Sequence, residues 1–464
     1  MTTQSKNDLR PIRSPRGVPF LGHTPQIPST NPVEYFGKLS KQFPEGLYGM
    51  EIAGIEQVFV WDPDLVAEVC DETRFYKQID KTPLAHVRDY AGAALFTAHQ
   101  HEEEWGMAHR VLLPAFSQRA MKGYYGQMLE IAQNLVGKWE RREGQPVNIT
   151  DDYTRLTLDT IALTGFGYRF DSFAKEDLHP FLNALLEALI ESLRRSQELP
   201  MMTKMRKADD KKYRANIQLM RDLVESVIKE RHEGKGTGED DLLGLMLEAT
   251  DPETGKGLED DNVRDQVLTF LIAGHETTSG LLSFATYSLM RNPQVLAQAY
   301  AEVDRLLPGD TVPDYDTIMQ MDVIPRILEE TLRLWAPIPM IGKSPIEDTV
   351  IGGCYELKKG ARVNLLEGPL HTHPKAWDRP PHAYKPFGNG VRACIGRQFA
   401  LTEARLALAL VLQKFKFADP NDYKMDVKEA LTRKPGGFEL KVRARREHER
   451  TVFGAVDLQT DDTR

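Results

Sequence analysis

A mainly helical fold with a small β part is predicted for this chain, on three observations. Apolar residues recur at three- and four-residue spacing through most of the stretch from 63 to about 290. One uninterrupted run, 261–291, is apolar on more than one face, as a helix through the centre of a protein must be. Beyond Pro337 the character changes to short pieces rich in β-branched residues, separated by turn residues.

The elements follow in order. Residues 1–30 hold Pro11, Pro15, Pro19, Pro25 and Pro28, which forbid a continuous helix, so the segment is irregular. The stretch 47–60 is apolar and β-branched with Ala53-Gly54 inside it, which reads as a hairpin. Helical periodicity marks 120–138, 152–165, 179–194 and 214–231, with a shorter helix at 240–249. The loop 251–257 superficially resembles a calcium loop but lacks the alternating Asp/Asn ligands and the closing Glu. The run 261–291 is roughly 45 Å long at 1.5 Å per residue, capped by Asp260 or Asp261 and stopped by Asn292-Pro293. Helices follow at 294–306 and 324–335, β pieces at 349–351, 362–366 and 438–442, and a last helix at 396–415. With no internal repeat and no low-complexity linker, residues 1–464 read as one intertwined domain with an irregular start and a polar tail at 447–464.

The net charge is −9, so a nucleic-acid partner is not expected. The basic stretch 434–446 reads as a solvated strand or edge. Cys70, Cys354 and Cys394 are widely spaced and odd in number, which signals neither a zinc site nor a disulfide framework. A reducing, cytoplasmic setting fits them. No apolar leader segment opens the chain and no run is long enough to span a membrane, so no membrane anchor is expected.

Four patterns carry chemistry. In Phe387-Gly-Asn-Gly390-Val-Arg392-Ala-Cys394-Ile-Gly396, glycines around one cysteine make a loop whose backbone can approach a ligand closely. The cysteine precedes a helix, whose N-terminal amides stabilise a thiolate, and Arg392 adds positive charge. A thiolate ringed by amide donors suits an electron-donating iron ligand; the bland alternative is a buried structural cysteine. The second pattern is Ala273-Gly274-His275-Glu276-Thr277-Thr278, in mid-helix. Small residues followed by an acid and hydroxyls suggest a widened groove for O₂ and water, since threonines bond back to helix carbonyls and bend the helix; a packing notch is the alternative. The third is Glu330 and Arg333, one helix face apart by three residues, a surface ion pair on its own. The fourth is Trp105 and His109, which also share a helix face.

Together these stretches resemble the cytochrome P-450 superfamily. Residues 387–396 match its haem-binding loop at every defined position, and the likeness runs from about 19 to 445. Segments 112–117 and 269–280 bring it nearest to the haem domain of bacterial self-sufficient fatty-acid hydroxylases, in which a P-450 is fused to a diflavin reductase. The resemblance implies the P-450 fold, with haem b between the long central helix and the Cys-loop helix. It implies Cys394 as the iron (metal) ligand, with Phe387, Gly390 and Gly396 shaping its loop and Ala273 and Gly274 over the haem face. Arg392 and Trp105, assisted by His109 and Lys77, would bind the propionates. Thr277 and Glu276 would act in catalysis, handling oxygen and relaying protons, and Glu330 with Arg333 would buttress the core. The implied activity is a monooxygenase that inserts one oxygen of O₂ into C–H bonds of apolar substrates, long-chain fatty acids first among them. Electrons would come from NADPH through a reductase carrying FMN and FAD.

Three departures from that family stand out. Only ten positions separate Trp377 from Phe387, where the family has a longer stretch whose Arg or His joins Glu330 and Arg333; here the stretch holds Arg379-Pro380-Pro381-His382. At the pocket mouth, Ile55 and Phe59 stand where the fatty-acid branch has Arg and Tyr, which weakens selection for a carboxylate. No G-x-G-x-x-G is present, so the flavins and NADPH belong to a separate or removed reductase. Phe96, Ile338, Met340 and Leu431 are the remaining candidates for the substrate pocket, with ordinary core as the alternative for each. Two other functions fit the sequence less well. A peroxide-driven peroxygenase loses the acid–alcohol pair that Glu276 and Thr277 retain, and a gas sensor needs no proton relay. A metal site at His371 and His373 is the lesser reading against exposed loop histidines.

Overall fold

The structure, a computed structural model, describes residues 9–80, 82–198, 200–235, 241–376 and 383–451. Its axis is the helix Asp260–Arg291, buried on most of its faces from Asn262 to Leu289. This helix lies against Ile149–Phe166, which is buried at nearly every position; its buried charges are paired, Asp152 with Lys138 and Trp139, Arg155 with the Ser172 carbonyl and Asp159 with the Ser172 hydroxyl. Thr157 Oγ1 donates to the His275 carbonyl at 2.8 Å and ties the two together. Gly274 permits the approach: a Cβ there would fall 2.8 Å from Ile161 Cγ1. The helices Gln118–Arg141, Val323–Trp335 and Arg397–Lys414 complete a core that also takes in Pro180–Arg195 and Lys207–His232.

A second core lies under a five-stranded sheet of order Leu47–Ile52, Ile55–Val60, Arg362–Leu366, Met340–Pro345, Phe75–Lys77. The first two strands form the expected hairpin, with Ile52 opposite Ile55. Its turn residues Ala53 and Gly54 both have positive φ, 51° and 74°, the twist a two-residue hairpin requires. The Ile55–Val60 strand runs parallel to Arg362–Leu366, and the other pairings are antiparallel. Phe59 is fully buried in this core, stacked on Tyr48 with centroids 5.0 Å apart and 4.6 Å from Phe36. It is therefore a core residue and not part of a pocket mouth. Ile55 is half-buried at the hairpin turn.

The predicted long helices are present, with Lys207–His232 beginning seven residues before the expected 214. The strands Phe75–Lys77 and Met340–Pro345 were not predicted. Each is short or flanked by prolines and gains strand geometry from its sheet neighbours rather than from alternation. His371 departs from the expected exposed loop: it ends the helix Glu367–His371, is 2% exposed, and both ring nitrogens meet backbone groups, the Arg333 carbonyl and the Lys385 amide. Among the described residues no cluster of His, Cys, Asp and Glu could hold a metal ion, and no helix is long and apolar enough to cross a membrane. Residues 379–382 lie outside the described residues.

Candidate active site around Cys394

The Cys394 loop is built by its glycines. Gly388 and Gly390 have positive φ, 73° and 67°. A Cβ on Gly390 would overlap the Glu72 carboxylate at 2.1 Å, and that carboxylate accepts from the Val391 amide at 3.0 Å. The Cys394 amide donates to the Phe387 carbonyl at 2.8 Å, which closes the loop. Gly396 then caps the helix Arg397–Lys414, and a Cβ on it would touch Cys394 Sγ at 3.9 Å.

Cys394 is exposed by accessibility although protein surrounds it, so its sulfur faces an internal hollow. Burial raises its pKa, against the pull of the Gly396 amide and of Arg397. The expected thiolate stabilisation is thus outweighed by desolvation, and the cation that acts on the sulfur is Arg397, not Arg392. A positive centre at the sulfur is what would make it a thiolate.

Ala273 and Thr277 of the central helix are half-buried, as is Gly274, within a stretch otherwise buried from 265 to 286. Ala273 and Thr277 are four residues apart and share a face. Thr277 Oγ1 donates to the Ala273 carbonyl at 2.9 Å. Gly274 is spoken for by Ile161 and serves helix packing rather than a cofactor. Glu276 lies on another side of the helix. Its Oε1 accepts from Lys434 Nζ at 2.8 Å and sits 3.1 Å from His275 Nε2, and its Oε2 accepts from Thr432 Oγ1 at 2.8 Å. Lys434 and His275 hold its carboxyl far below the usual range, against the opposing effect of its full burial. As arranged it is a fixed anion rather than a proton carrier. Lys434, read from sequence as solvated, is its buried counter-ion.

A group of cations stands beside the loop. The Arg392 guanidinium lies 4.0 Å over the Trp105 ring and donates to the carbonyls of Ala98 and His99, each at 3.2 Å. Trp105 stacks on His109 at 4.9 Å, as their shared helix face requires. Lys77 donates to the Phe96 carbonyl at 2.7 Å and lies 4.6 Å over its ring. Burial, then Arg392 and Lys343, push Lys77 down to about 7, and burial takes Arg392 down to about 10. His109 is lowered by burial, Arg392 and Arg110. Desolvated like charges this close need an anion, and the carboxylates of a haem fit the donor set. Sequence reasoning missed Lys343, which no motif marks.

Substrate candidates gather from two directions. The Arg433 amide donates to the Pro337 carbonyl at 3.0 Å, and a Cβ on Gly280 would meet the Arg433 carbonyl at 3.0 Å. These contacts, with those of Thr432 and Lys434 to Glu276, hold half-buried Leu431 against the helical core, whereas half-buried Met340 packs against the core under the sheet and Ile338 is half-buried just before it. Half-buried Phe96 approaches with Lys77. The Glu330–Arg333 pair is bidentate, at 2.6 and 2.7 Å, and Arg333 also donates to the His371 carbonyl at 3.2 Å, tying the Val323–Trp335 helix to Glu367–His371.

Comparison with known proteins accords with this geometry. The family profile described as cytochrome P450 matches residues 12–442. A bifunctional cytochrome P450/NADPH–P450 reductase of Bacillus cereus is 45% identical over 454 residues, covering 94% of this chain and 42% of the relative. A Bacillus subtilis protein of the same description is 44% identical, covering 97% and 43%. The chain thus spans less than half the length of these relatives. The crystal structure of the cytochrome P450DA heme domain superposes with a TM-score of 0.91 at 56% identity, covering 95% of this chain and 99% of that one.

Proposed function

Because this chain belongs to the cytochrome P450 family, whose cofactor is haem, we propose that it is a haem-thiolate monooxygenase acting on apolar substrates. The observation that carries the reading is Cys394, its sulfur open to an internal hollow that the half-buried Ala273–Thr277 face of the central helix would line. Cys394 would hold the iron, and Arg392, Lys77, Trp105 and His109 would take the propionates. The bound haem would supply the activation of O₂ for insertion into a C–H bond.

The chain's own residues do the rest. The Gly396 amide donates to the sulfur and tempers its charge. Thr277 turns its hydroxyl from the Ala273 carbonyl into the hollow to donate a hydrogen bond there. Glu276 passes protons only when Lys434 and Thr432 release it. Phe96, Ile338, Met340 and Leu431 exclude water and offer apolar contact, which suits long-chain fatty acids and their neutral analogues. Electrons would arrive from NADPH through a diflavin reductase bearing FMN and FAD, a partner supported by the bifunctional relatives.

The test supplies a diflavin reductase, NADPH, heavy-isotope O₂ and a long-chain fatty acid beside its alcohol and amide. One labelled oxygen in a hydroxylated product is expected. Product formed only with added peroxide would replace this reading with a peroxygenase.

A further inference from the structure

The segment that carries Phe96 leaves the helix Pro83–Ala91 and has no regular structure of its own. It is nevertheless gripped along its length by the first turns of the central helix. Asn262 Nδ2 donates to the Ala93 carbonyl at 3.1 Å. Gln266 Oε1 accepts from the Leu95 amide at 3.1 Å, and its Nε2 donates to Asn262 Oδ1 at 3.1 Å, so each amide fixes the orientation of the other. Between them Asp265 receives the Ala93 amide. Gly92, at φ +49°, leaves room for that carboxylate: a Cβ would fall 1.6 Å from Asp265 Oδ2. From the other side Thr97 Oγ1 donates to the Gly92 carbonyl at 2.7 Å and Arg88 Nη1 to the Thr97 carbonyl at 3.0 Å.

Gln266 is fully buried and Asn262 is 9% exposed. Buried amides cost stability unless paired, and these are paired with one loop and with each other. Core packing would be served better by apolar residues. What the amides provide is register, because a hydrogen-bonded loop has one position where an apolar contact allows several. Leu95 is held by its own amide, so the next residue, Phe96, is held at one end by Gln266 and at the other by Lys77 through its carbonyl.

We propose that Asn262 and Gln266 are positioning residues that set Phe96 over the substrate, and so decide which carbon of a chain substrate is attacked. This rests on the monooxygenase reading above. The mechanism is mechanical: a looser loop lets the ring tilt, and the substrate then samples more carbons at the reacting centre.

Two measurements on the haem-loaded Gln266→Leu and Asn262→Ala variants test it. Hydrogen exchange at the Leu95 amide should quicken about two- to thirteenfold in Gln266→Leu, the factor for losing one net hydrogen bond from a local opening equilibrium. With a long-chain substrate, both variants should spread hydroxylation over more positions than the parent while KM stays within about twofold. Unchanged exchange at Leu95 overturns the clamp. Faster exchange with an unchanged product distribution overturns its role in selectivity. A parent protein that forms no hydroxylated product overturns the monooxygenase reading and, with it, the selectivity role, while the exchange result still decides the clamp.

Discussion

Replacing Lys434 by Met removes the counter-ion of Glu276 and leaves the rest of the site in place. The two side chains are 13% and 8% exposed and meet at 2.8 Å. At an effective dielectric of about 20, such a contact carries roughly 6 kcal/mol of attraction. The loss is capped, because an abandoned carboxylate can take up a proton instead of staying charged. From its ordinary value of 4.5, protonation at pH 7 costs about 3.4 kcal/mol, at 1.36 kcal/mol per pH unit. Lys434→Met should therefore destabilise by about 3 kcal/mol at pH 7, within the range for breaking a buried pair. Glu276 is depressed in the folded protein, so its contribution is complete above about 4.5 and is lost as pH falls below that value. Between pH 7 and 5 the parent is therefore unchanged, but protonating the abandoned carboxylate of the variant becomes cheaper, so the gap should shrink to about 1 kcal/mol near pH 5. Adding Glu276→Gln to the variant should recover most of the loss at pH 7. Urea unfolding followed by tryptophan fluorescence at the two pH values reads all three quantities. A loss below about 1 kcal/mol at pH 7, or an equal loss at both pH values, would refute the locked-anion account of Glu276.

Other outcomes follow from the same geometry. Gly390→Ala forces a Cβ into the Glu72 carboxylate at a left-handed position, and should cost about 2–4 kcal/mol and lower the haem content of the purified protein, read from absorbance. Arg392→Ala removes a desolvated cation and should speed haem transfer to an acceptor globin about tenfold, since a charged hydrogen bond is worth roughly 1.5–3 kcal/mol. Lys77 stands at about 7 without an anion, so haem binding at pH 8 should draw roughly one proton from solution. Titration calorimetry in two buffers measures that uptake, and Lys77→Met should abolish it.

The Cys394 loop was legible in the sequence because its glycines answer local demands. Gly390 must turn left-handed and Gly396 must approach the sulfur, and both needs sit within a few residues of the cysteine. The Trp105–His109 stack and the Glu330–Arg333 pair were legible for the same reason, since helix spacing alone brings them together. What failed depended on distant packing. Glu276 and Lys434 are 158 residues apart, and nothing near either one marks the other. Gly274 was read toward the hollow, whereas its open side receives Ile161 from another helix. Phe59 belongs to an aromatic core whose other members, Phe36 and Tyr48, meet it only once the sheet has formed. The clamp on the Phe96 segment was invisible because Asn262 and Gln266 look like ordinary polar positions in the first turns of a helix, and their loop partners lie about 170 residues away.

The central claim is that Cys394 ligates haem iron, and the reduced, CO-bound absorption spectrum tests it most directly. The parent protein should show the red-shifted Soret band of a thiolate-ligated haem, and Cys394→His should move the band to the position of a neutral ligand. A parent band already at the neutral position, or a Cys394→His variant that keeps the thiolate band, would contradict the account.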